Sequence, residues 1–149
     1  MLGSIDVDPA SNDIAQLKVK SKAYYTQETN GLDKDWIGKV WMNPPYAGKL
    51  IKLFAAKLVD EVISGNTTDF IVLVNNATET SWFKEMLSVS EAICLVNKRI
   101  RFLDPQGNPS GAPLQGQCIL YGGSEPLVFA KEFSQYGVVV KVMTHKIGK

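Results

Sequence analysis

The order of apolar and polar residues predicts strands and helices that alternate along the chain. Apolar residues spaced three and four apart predict a long helix over 50–63, and weaker patterns predict helices over 11–20 and 80–87. Short apolar or alternating runs predict strands over 5–8, 23–26, 39–42, 70–74, 92–96, 118–121 and 138–142. The run 70–74 is apolar throughout, which is typical of a strand covered by helices on both faces. We therefore expect an α/β domain over 1–149, with a mostly parallel sheet flanked by helices and its last strand at an edge.

Composition narrows the class of protein. The 149 residues are 45% hydrophobic and 21% charged, which fits one folded domain and not a disordered or repetitive chain. No apolar run approaches the roughly 20 residues that a membrane span needs. Cys94, Cys118 and the single His145 lack the spacing of a zinc site or a disulfide scaffold. Together with a start unlike a signal peptide, this predicts a reduced, cytoplasmic protein without metal.

Polar residues follow three of the predicted strands. They are Asp6 and Asp8, then the segment 43–46, then Asn75 and Asn76. In α/β sheets, ligands bind beyond the carboxyl ends of the strands. These three strand ends are therefore the place where we expect the chemistry.

The segment Asn43-Pro44-Pro45-Tyr46 carries the clearest chemical signal. Two consecutive prolines stiffen the backbone, and Pro44 favours an extended conformation at Asn43. A rigid loop of this kind presents two acceptors, the Asn43 side-chain oxygen and the Pro44 carbonyl oxygen, to the hydrogens of one planar amine. Such hydrogen bonds draw the nitrogen toward tetrahedral geometry and free its lone pair, while Tyr46 offers a face on which a base stacks. A methyl donor held in line would complete the reaction.

This tetrapeptide is similar to the signature of methyltransferases that modify exocyclic or amide nitrogens with S-adenosylmethionine. Further segments, in order along nearly the whole chain, together resemble the phage DNA N-6-adenine methyltransferase family. They are 5–11, 24–26, 30–32, 36–46, 73–83, 99–102 and 113–117. Family members usually begin earlier, with a Trp-Tyr-Thr-Pro segment and a helix. The resemblance therefore predicts that an N-terminal part is missing here.

The resemblance implies a Rossmann-like methyltransferase fold, S-adenosylmethionine as cofactor and N-6-methyladenine in DNA as product. It implies that Asn43 and Pro44, in the catalytic segment with Pro45, polarise the adenine amine. It also implies that Tyr46 stacks on the base. The base must be flipped out of double-stranded DNA, because a stacked amine cannot be approached in line.

Two further groups of residues are candidates for binding. Asp6, Asp8 and the adjacent Pro9 are candidates for the cofactor, since an acid at a strand end binds ribose hydroxyls in related folds. We expect only one of the two acids to face the cleft, and a capping or solvated carboxylate is the alternative. The candidates for DNA contact are Asn75, Asn76, Lys98, Arg99, Arg101, Gln115 and Gln117. Basic residues would neutralise phosphates, and glutamines suit adenine edges.

Other functions remain open at this stage. The net charge of +1 is low for a protein that binds nucleic acid by charge alone. RNA adenine or a protein glutamine would present a similar planar nitrogen. A truncated, non-catalytic remnant that binds nucleic acid is the alternative from a different class. The oligomeric state has no signal in the sequence.

Overall fold

The computed structural model of the chain contains one mixed sheet with helices on both faces. The structure describes residues 1–98, 106, 108 and 116–143. Within them, the strands are β1 (Val7–Asp8), β2 (Ala23–Tyr24), β3 (Gly38–Met42), β4 (Thr67–Asn75), β5 (Ala92–Val96), β6 (Gln117–Gly122) and β7 (Gly137–Lys141). The helices are α1 (Gln16–Val19), α2 (Leu50–Ile63), α3 (Ser81–Ser88) and α4 (Pro126–Phe133), and Gly31–Asp33 forms a 3-10 turn.

The sheet is parallel in its first part and antiparallel in the rest. Its order is β2-β1-β3-β4-β6-β5-β7. Strands β2, β1, β3 and β4 are parallel, whereas β6 runs antiparallel to both β4 and β5, and β7 runs antiparallel to β5. The expectation of a mostly parallel sheet therefore holds only for the first four strands. An apolar run reads the same in either direction, so the sequence pattern does not reveal that β6 is reversed.

Alternating residues of β4 divide the core between the two faces of the sheet. Val72 and Val74 belong to one apolar cluster with Phe54 of α2 and Phe83 of α3. The neighbouring Ile71 and Leu73 belong to a second cluster with Phe129 of α4. Both faces of β4 are thus covered, as the sequence predicted. Both cysteines are buried. None of the helices in the described part of the chain has the length and apolar character needed to cross a membrane.

The sequence pattern predicted α2 and β5 with the bounds that the structure gives. Thr80 caps α3, because its hydroxyl accepts a hydrogen bond from the Phe83 N–H at 3.3 Å. The predicted helix over 11–20 was too long, because only Gln16–Val19 is helical. Helix α4 was missed. Its apolar residues do not share one face, since Leu127 is 83% exposed while Phe129 is buried.

A buried carboxylate fixes α2 to the segment that leads into β3. Glu61 accepts hydrogen bonds from the Trp36 N–H (2.5 Å) and Asn66 Nδ2 (2.9 Å), and Lys57 Nζ lies 3.4 Å away. Burial raises the pKa of Glu61, but these hydrogen bonds and the Lys57 charge outweigh it and hold the pKa below the usual value. Trp36 in turn stacks on Phe54. The segment that leads into β3 is therefore held against α2.

Replacing Glu61 by Gln should lower the free energy of unfolding by about 1–3 kcal/mol at neutral pH, because an amide nitrogen would face buried donors. Urea denaturation measures this loss. The difference in free energy of unfolding between the variant and wild type should have its full size above the ordinary pKa of 4.5. It should shrink as the pH falls through the lower pKa that Glu61 has in the folded state. The exposed neighbour variant Asp60→Asn is the control and should change little. Equal stability of the two variants would contradict the assigned role.

Candidate active site

The carboxyl ends of three parallel strands and the start of β6 meet at one edge of the sheet. Strands β1, β3 and β4 are parallel neighbours, so the residues after Asp8, Met42 and Val74 lie on the same side. Because β6 is antiparallel, its first residue, Gln117, pairs with Asn75 at that edge. The topology therefore brings the polar strand ends together, as the sequence predicted, and adds Gln117 to them.

A cleft of about 410 Å³ opens at this edge, between the end of β1, the turn before β3 and the start of α2. This volume lies in the range of about 300–1,000 Å³ that small-molecule sites occupy. Ser11, Thr26, Gln27, Asn30 and Asn43 form its polar lining, and the other lining residues, such as Leu32 and Phe54, are apolar or small. None of the described residues that line the cleft is charged.

A glycine turn closes one wall of this cleft. Gly31 is buried against the end of β1, where a Cβ atom would lie only 2.1 Å from the Pro9 carbonyl oxygen. Asn30 adopts a left-handed conformation (φ 55°), and its Oδ1 accepts the Leu32 N–H at 3.3 Å. Asparagine tolerates this conformation better than most residues. An Asn-Gly pair is typical of a turn, but Thr26, Gln27 and Asn30 were not predicted as site residues.

The rigid segment after β3 borders the cleft. Asn43 is half-buried and lines the cleft together with Pro45, while Pro44 between them is buried and does not line it. Among residues 1–98, 106, 108 and 116–143, neither the Asn43 side chain nor the Pro44 carbonyl oxygen has a hydrogen-bond partner. Neither of the two acceptors singled out from the sequence is therefore used by the described part of the fold, and Asn43 is the one that lines the cleft.

Tyr46 is tied to the end of β4. Its hydroxyl accepts the Asn75 N–H at 2.7 Å, and its half-buried ring packs against Trp82 with centroids 6.0 Å apart and an interplanar angle of 58°. Burial raises the pKa of Tyr46 to about 12, even though the Asn75 hydrogen bond acts in the opposite direction. Tyr46 is thus a neutral phenol at neutral pH. The sequence predicted an aromatic face here but not the hydroxyl contact.

A second polar contact links β4 to β6. Gln117 Nε2 donates a hydrogen bond to Asn75 Oδ1. Gln117 is only 6% exposed, and its Oε1 is buried without a hydrogen-bond partner in the described part of the chain. A buried polar atom left unpaired is costly, so this oxygen has a vacant capacity for a donor. Asn76 is exposed and donates its N–H to the Gly116 carbonyl oxygen at 3.1 Å.

The predicted cofactor residues occupy three different places. Pro9 lines the cleft, whereas neither Asp6 nor Asp8 does, although one of these acids was expected to face it. Asp8 is 2% exposed and accepts hydrogen bonds from the Ala10 N–H (3.4 Å) and Gln16 Nε2 (3.0 Å). Asp8 therefore holds the cleft-lining loop from beneath.

Asp6 has a different set of partners. It accepts the Lys39 N–H at 2.9 Å and pairs with Lys22 at 3.1 Å. Both contacts hold the pKa of Asp6 below its usual range, and the hydrogen bond from the Lys39 N–H has the larger effect. They attach Asp6 to the start of β3.

The predicted basic DNA contacts are only partly described. Lys98 is exposed shortly after the carboxyl end of β5. Arg99, Arg101 and Gln115 lie outside the described residues, as does His145. Within the ranges that are described, no group of three or more His, Cys, Asp or Glu side chains is arranged to hold a metal ion.

Asp8→Asn should change how stability depends on pH. Burial raises the pKa of Asp8 from 3.8 to about 6, against the effect of its hydrogen bonds. Stability from this group is therefore full below the ordinary pKa and is lost as the pH rises through the folded pKa. Urea unfolding should show wild type losing up to about 3 kcal/mol relative to Asp8→Asn between about pH 4 and pH 7. The exposed control Asp35→Asn should show the same dependence of stability on pH as wild type. If Asp8→Asn also showed the same dependence as wild type, the expectation would be refuted.

Comparison with known proteins indicates the family of the chain. A search of the curated proteins finds no match to the chain. The model of one family, described as DNA N-6-adenine-methyltransferase (Dam), matches residues 3–135. The matched region includes the end of β1, the cleft and the segment 43–46. It also includes Tyr46 and Gln117, the two residues whose side chains contact Asn75. The chain belongs to the DNA N-6-adenine-methyltransferase (Dam) family.

Proposed function

We propose that this chain transfers a methyl group from S-adenosylmethionine to the N6 amine of adenine in double-stranded DNA, at the cleft described above. Membership of the family gives the reaction, which is methylation of adenine N6 in DNA. The observation that carries the residue assignment is the pair of acceptors without a described hydrogen-bond partner in the segment after β3, Asn43 Oδ1 and the Pro44 carbonyl oxygen, of which Asn43 lines the cleft. A rigid pair of acceptors matches the two hydrogens of one amine.

The cleft suits a nucleoside cofactor such as S-adenosylmethionine. Apolar walls at Leu32 and Phe54 suit a purine ring, and the hydroxyls and amides of Ser11, Thr26 and Asn30 suit a ribose and an amino acid group. No lysine or arginine among the described lining residues would repel a sulfonium. When bound, this cofactor supplies an electrophilic methyl group. The parallel strands β2, β1, β3 and β4 support a Rossmann-like methyltransferase fold over a single domain.

Asn43 and Pro44 activate the amine by hydrogen bonding. Conjugation with the ring makes the nitrogen planar and weakly nucleophilic. Acceptors fixed off the ring plane favour a pyramidal nitrogen, and they also stabilise the positive charge that develops as the nitrogen gains a methyl group. The nitrogen then loses one hydrogen as a proton to solvent. No titratable side chain among the described residues lines the cleft, so positioning and hydrogen bonding carry the catalysis.

Tyr46, Asn75 and Gln117 are assigned to the base that leaves the duplex. The adenine must flip out of the stack to reach the cleft. Tyr46 offers it an aromatic face, and the hydrogen bond from Asn75 fixes the orientation of that ring. The unpaired Gln117 Oε1 is suited to a donor on the nucleic acid.

The other DNA contacts follow from their position or from the sequence. Asn76 and Lys98 lie exposed near the same edge of the sheet. Arg99, Arg101 and Gln115 remain predictions from the sequence. The cofactor role of Asp8 is indirect in this proposal, through the loop of Ala10 and Ser11 that it supports.

The alternatives predict different outcomes in the same assay. RNA adenine and protein glutamine would use the same pair of acceptors, but the family match favours adenine in DNA. A chain that only binds nucleic acid would form no N-6-methyladenine from DNA and S-adenosylmethionine. Mass spectrometry of digested DNA, RNA and protein from matched reactions separates the three cases.

Asn43→Ala should lower the rate of N-6-methyladenine formation by at least about 10²–10³-fold, the usual effect of removing one fixed hydrogen bond to a developing charge. Nucleoside mass spectrometry measures the product, and calorimetry should show S-adenosylmethionine binding within a few-fold of wild type. The control Gln135→Ala removes an exposed amide beyond α4 and should keep full activity. Full activity of Asn43→Ala would refute the proposed role.

Tyr46→Phe and Tyr46→Ala should separate the ring from the hydroxyl. Loss of the ring should weaken binding of duplex DNA by the equivalent of about 1–3 kcal/mol, the usual value of one stacked base. Tyr46→Phe keeps the ring and should bind DNA nearly as wild type, but with lower stability because the Asn75 N–H loses its acceptor. Fluorescence anisotropy with a labelled duplex gives the affinities. Equal binding by Tyr46→Ala and wild type would rule out stacking on Tyr46.

A further inference from the structure

The side chain of Gln16 connects the loop that lines the cleft to the sheet. Gln16 is half-buried in the short helix α1 and does not itself line the cleft. Its Nε2 atom donates hydrogen bonds to Asp8 Oδ2 and to Ser11 Oγ, each at 3.0 Å. Its Oε1 atom accepts the Ser21 N–H and the Ser21 hydroxyl, each at 2.9 Å. All four hydrogen-bonding positions of this one amide are therefore occupied within the fold.

The orientation of this amide follows from its partners. A backbone N–H only donates, so the amide oxygen must face the N–H of Ser21. Asp8 is an acceptor, and it also receives the Ala10 N–H at 3.4 Å, so the amide nitrogen faces Asp8 and Ser11. Gln16 therefore acts as a hydrogen-bond donor toward the loop that lines the cleft.

These contacts determine what Ser11 offers to a ligand. Ser11 lines the cleft, and its backbone is fixed because its N–H donates to the Tyr25 carbonyl oxygen at 2.8 Å. Its hydroxyl hydrogen has acceptors within the protein, the Asn12 carbonyl oxygen at 3.3 Å and the Asp8 carboxylate. One of the two lone pairs of the hydroxyl receives the hydrogen of Gln16. Ser11 is thus left with one lone pair, which accepts a hydrogen bond and does not donate one.

We propose that Gln16 is a positioning residue for the cofactor, because it fixes Ser11 as a hydrogen-bond acceptor in the lining of the cleft. The donor that this acceptor suits is an O–H of the cofactor's ribose or an N–H of its ammonium group. The inference rests on the proposed function and adds to it a residue outside the cleft that sets the polarity of one lining group. Such preorganisation raises affinity, since the lining group is oriented before the cofactor binds.

The test measures the affinity for S-adenosylhomocysteine by calorimetry in single and double variants. Gln16→Met keeps the length of the side chain without its hydrogen bonds, and it should weaken binding about tenfold, the equivalent of one hydrogen bond. Ser11→Ala removes the acceptor itself and should cause a similar loss. The variant with both changes should lose no more than Ser11→Ala alone, because Gln16 acts through Ser11. The control Gln135→Met replaces an exposed glutamine beyond α4 and should bind like wild type.

A second variant keeps the test decisive if circular dichroism shows that Gln16→Met does not fold. Gln16→Glu retains an acceptor for Ser21 but has no hydrogen to donate to Ser11 at neutral pH, so it should show the same loss of affinity. Wild-type affinity in a folded Gln16 variant would overturn the proposal. Losses that multiply when a Gln16 variant is combined with Ser11→Ala would also overturn it, because a general loosening of the fold acts independently of Ser11.

A second ligand identifies the donor, and wild type separates this proposal from the proposed function. 5′-Methylthioadenosine keeps the ribose hydroxyls but lacks the amino acid group. A tenfold loss with this ligand in Gln16→Met assigns a ribose O–H to Ser11, and a loss confined to S-adenosylhomocysteine assigns the ammonium group. Failure of wild type to bind S-adenosylhomocysteine would contradict the proposed function, whereas tight binding by wild type and Gln16→Met alike would contradict only the role of Gln16.

Discussion

The parallel pairing of β3 with β4 determines where the candidate site lies. Met42 at the end of β3 pairs with Val72, and β4 continues three residues further to Asn75. This overhang places the Asn75 N–H where the Tyr46 hydroxyl accepts it, so the segment 43–46 is held at both ends. The two prolines stiffen what lies between. Two acceptors at a strand end are thereby held in a fixed segment, and the proposed reaction requires such a pair.

Burial and the absence of charge around this pair have a common effect. The described lining of the cleft is uncharged, and Asp8 lies beneath its loop rather than in it. A hydrogen bond to the Asn43 oxygen is stronger in such surroundings than in water. The same lack of charge means that the described lining of the cleft has no group to neutralise a phosphate. The near-neutral net charge of +1 is consistent with a few placed cations and not with a broad basic surface.

The spacing of apolar residues predicted those elements whose formation depends mainly on residues close together in the sequence. The three-and-four spacing of apolar residues gave α2, and the unbroken apolar run gave β4, because both elements bury a defined surface. The two prolines after Asn43 predict a stiff segment for a reason that is equally local, and the catalytic role of that segment is a proposal. The reversed direction of β6, and with it the contact between Gln117 and Asn75, depends on pairing between distant segments and has no local signal. The roles of Thr26 and Asn30 in the cleft depend on the close approach of Gly31 to Pro9, which is also a tertiary feature.

The proposed function requires that Asn43 Oδ1 and the Pro44 carbonyl oxygen hold the two hydrogens of one adenine amine. The most direct measurement is a crystal structure of the chain with S-adenosylhomocysteine and an unmethylated DNA duplex. We expect an adenine turned out of the duplex, with its N6 atom within about 3.2 Å of both oxygens. An adenine bound in the cleft with its N6 atom held by other groups, or with only solvent around these two oxygens, would contradict it.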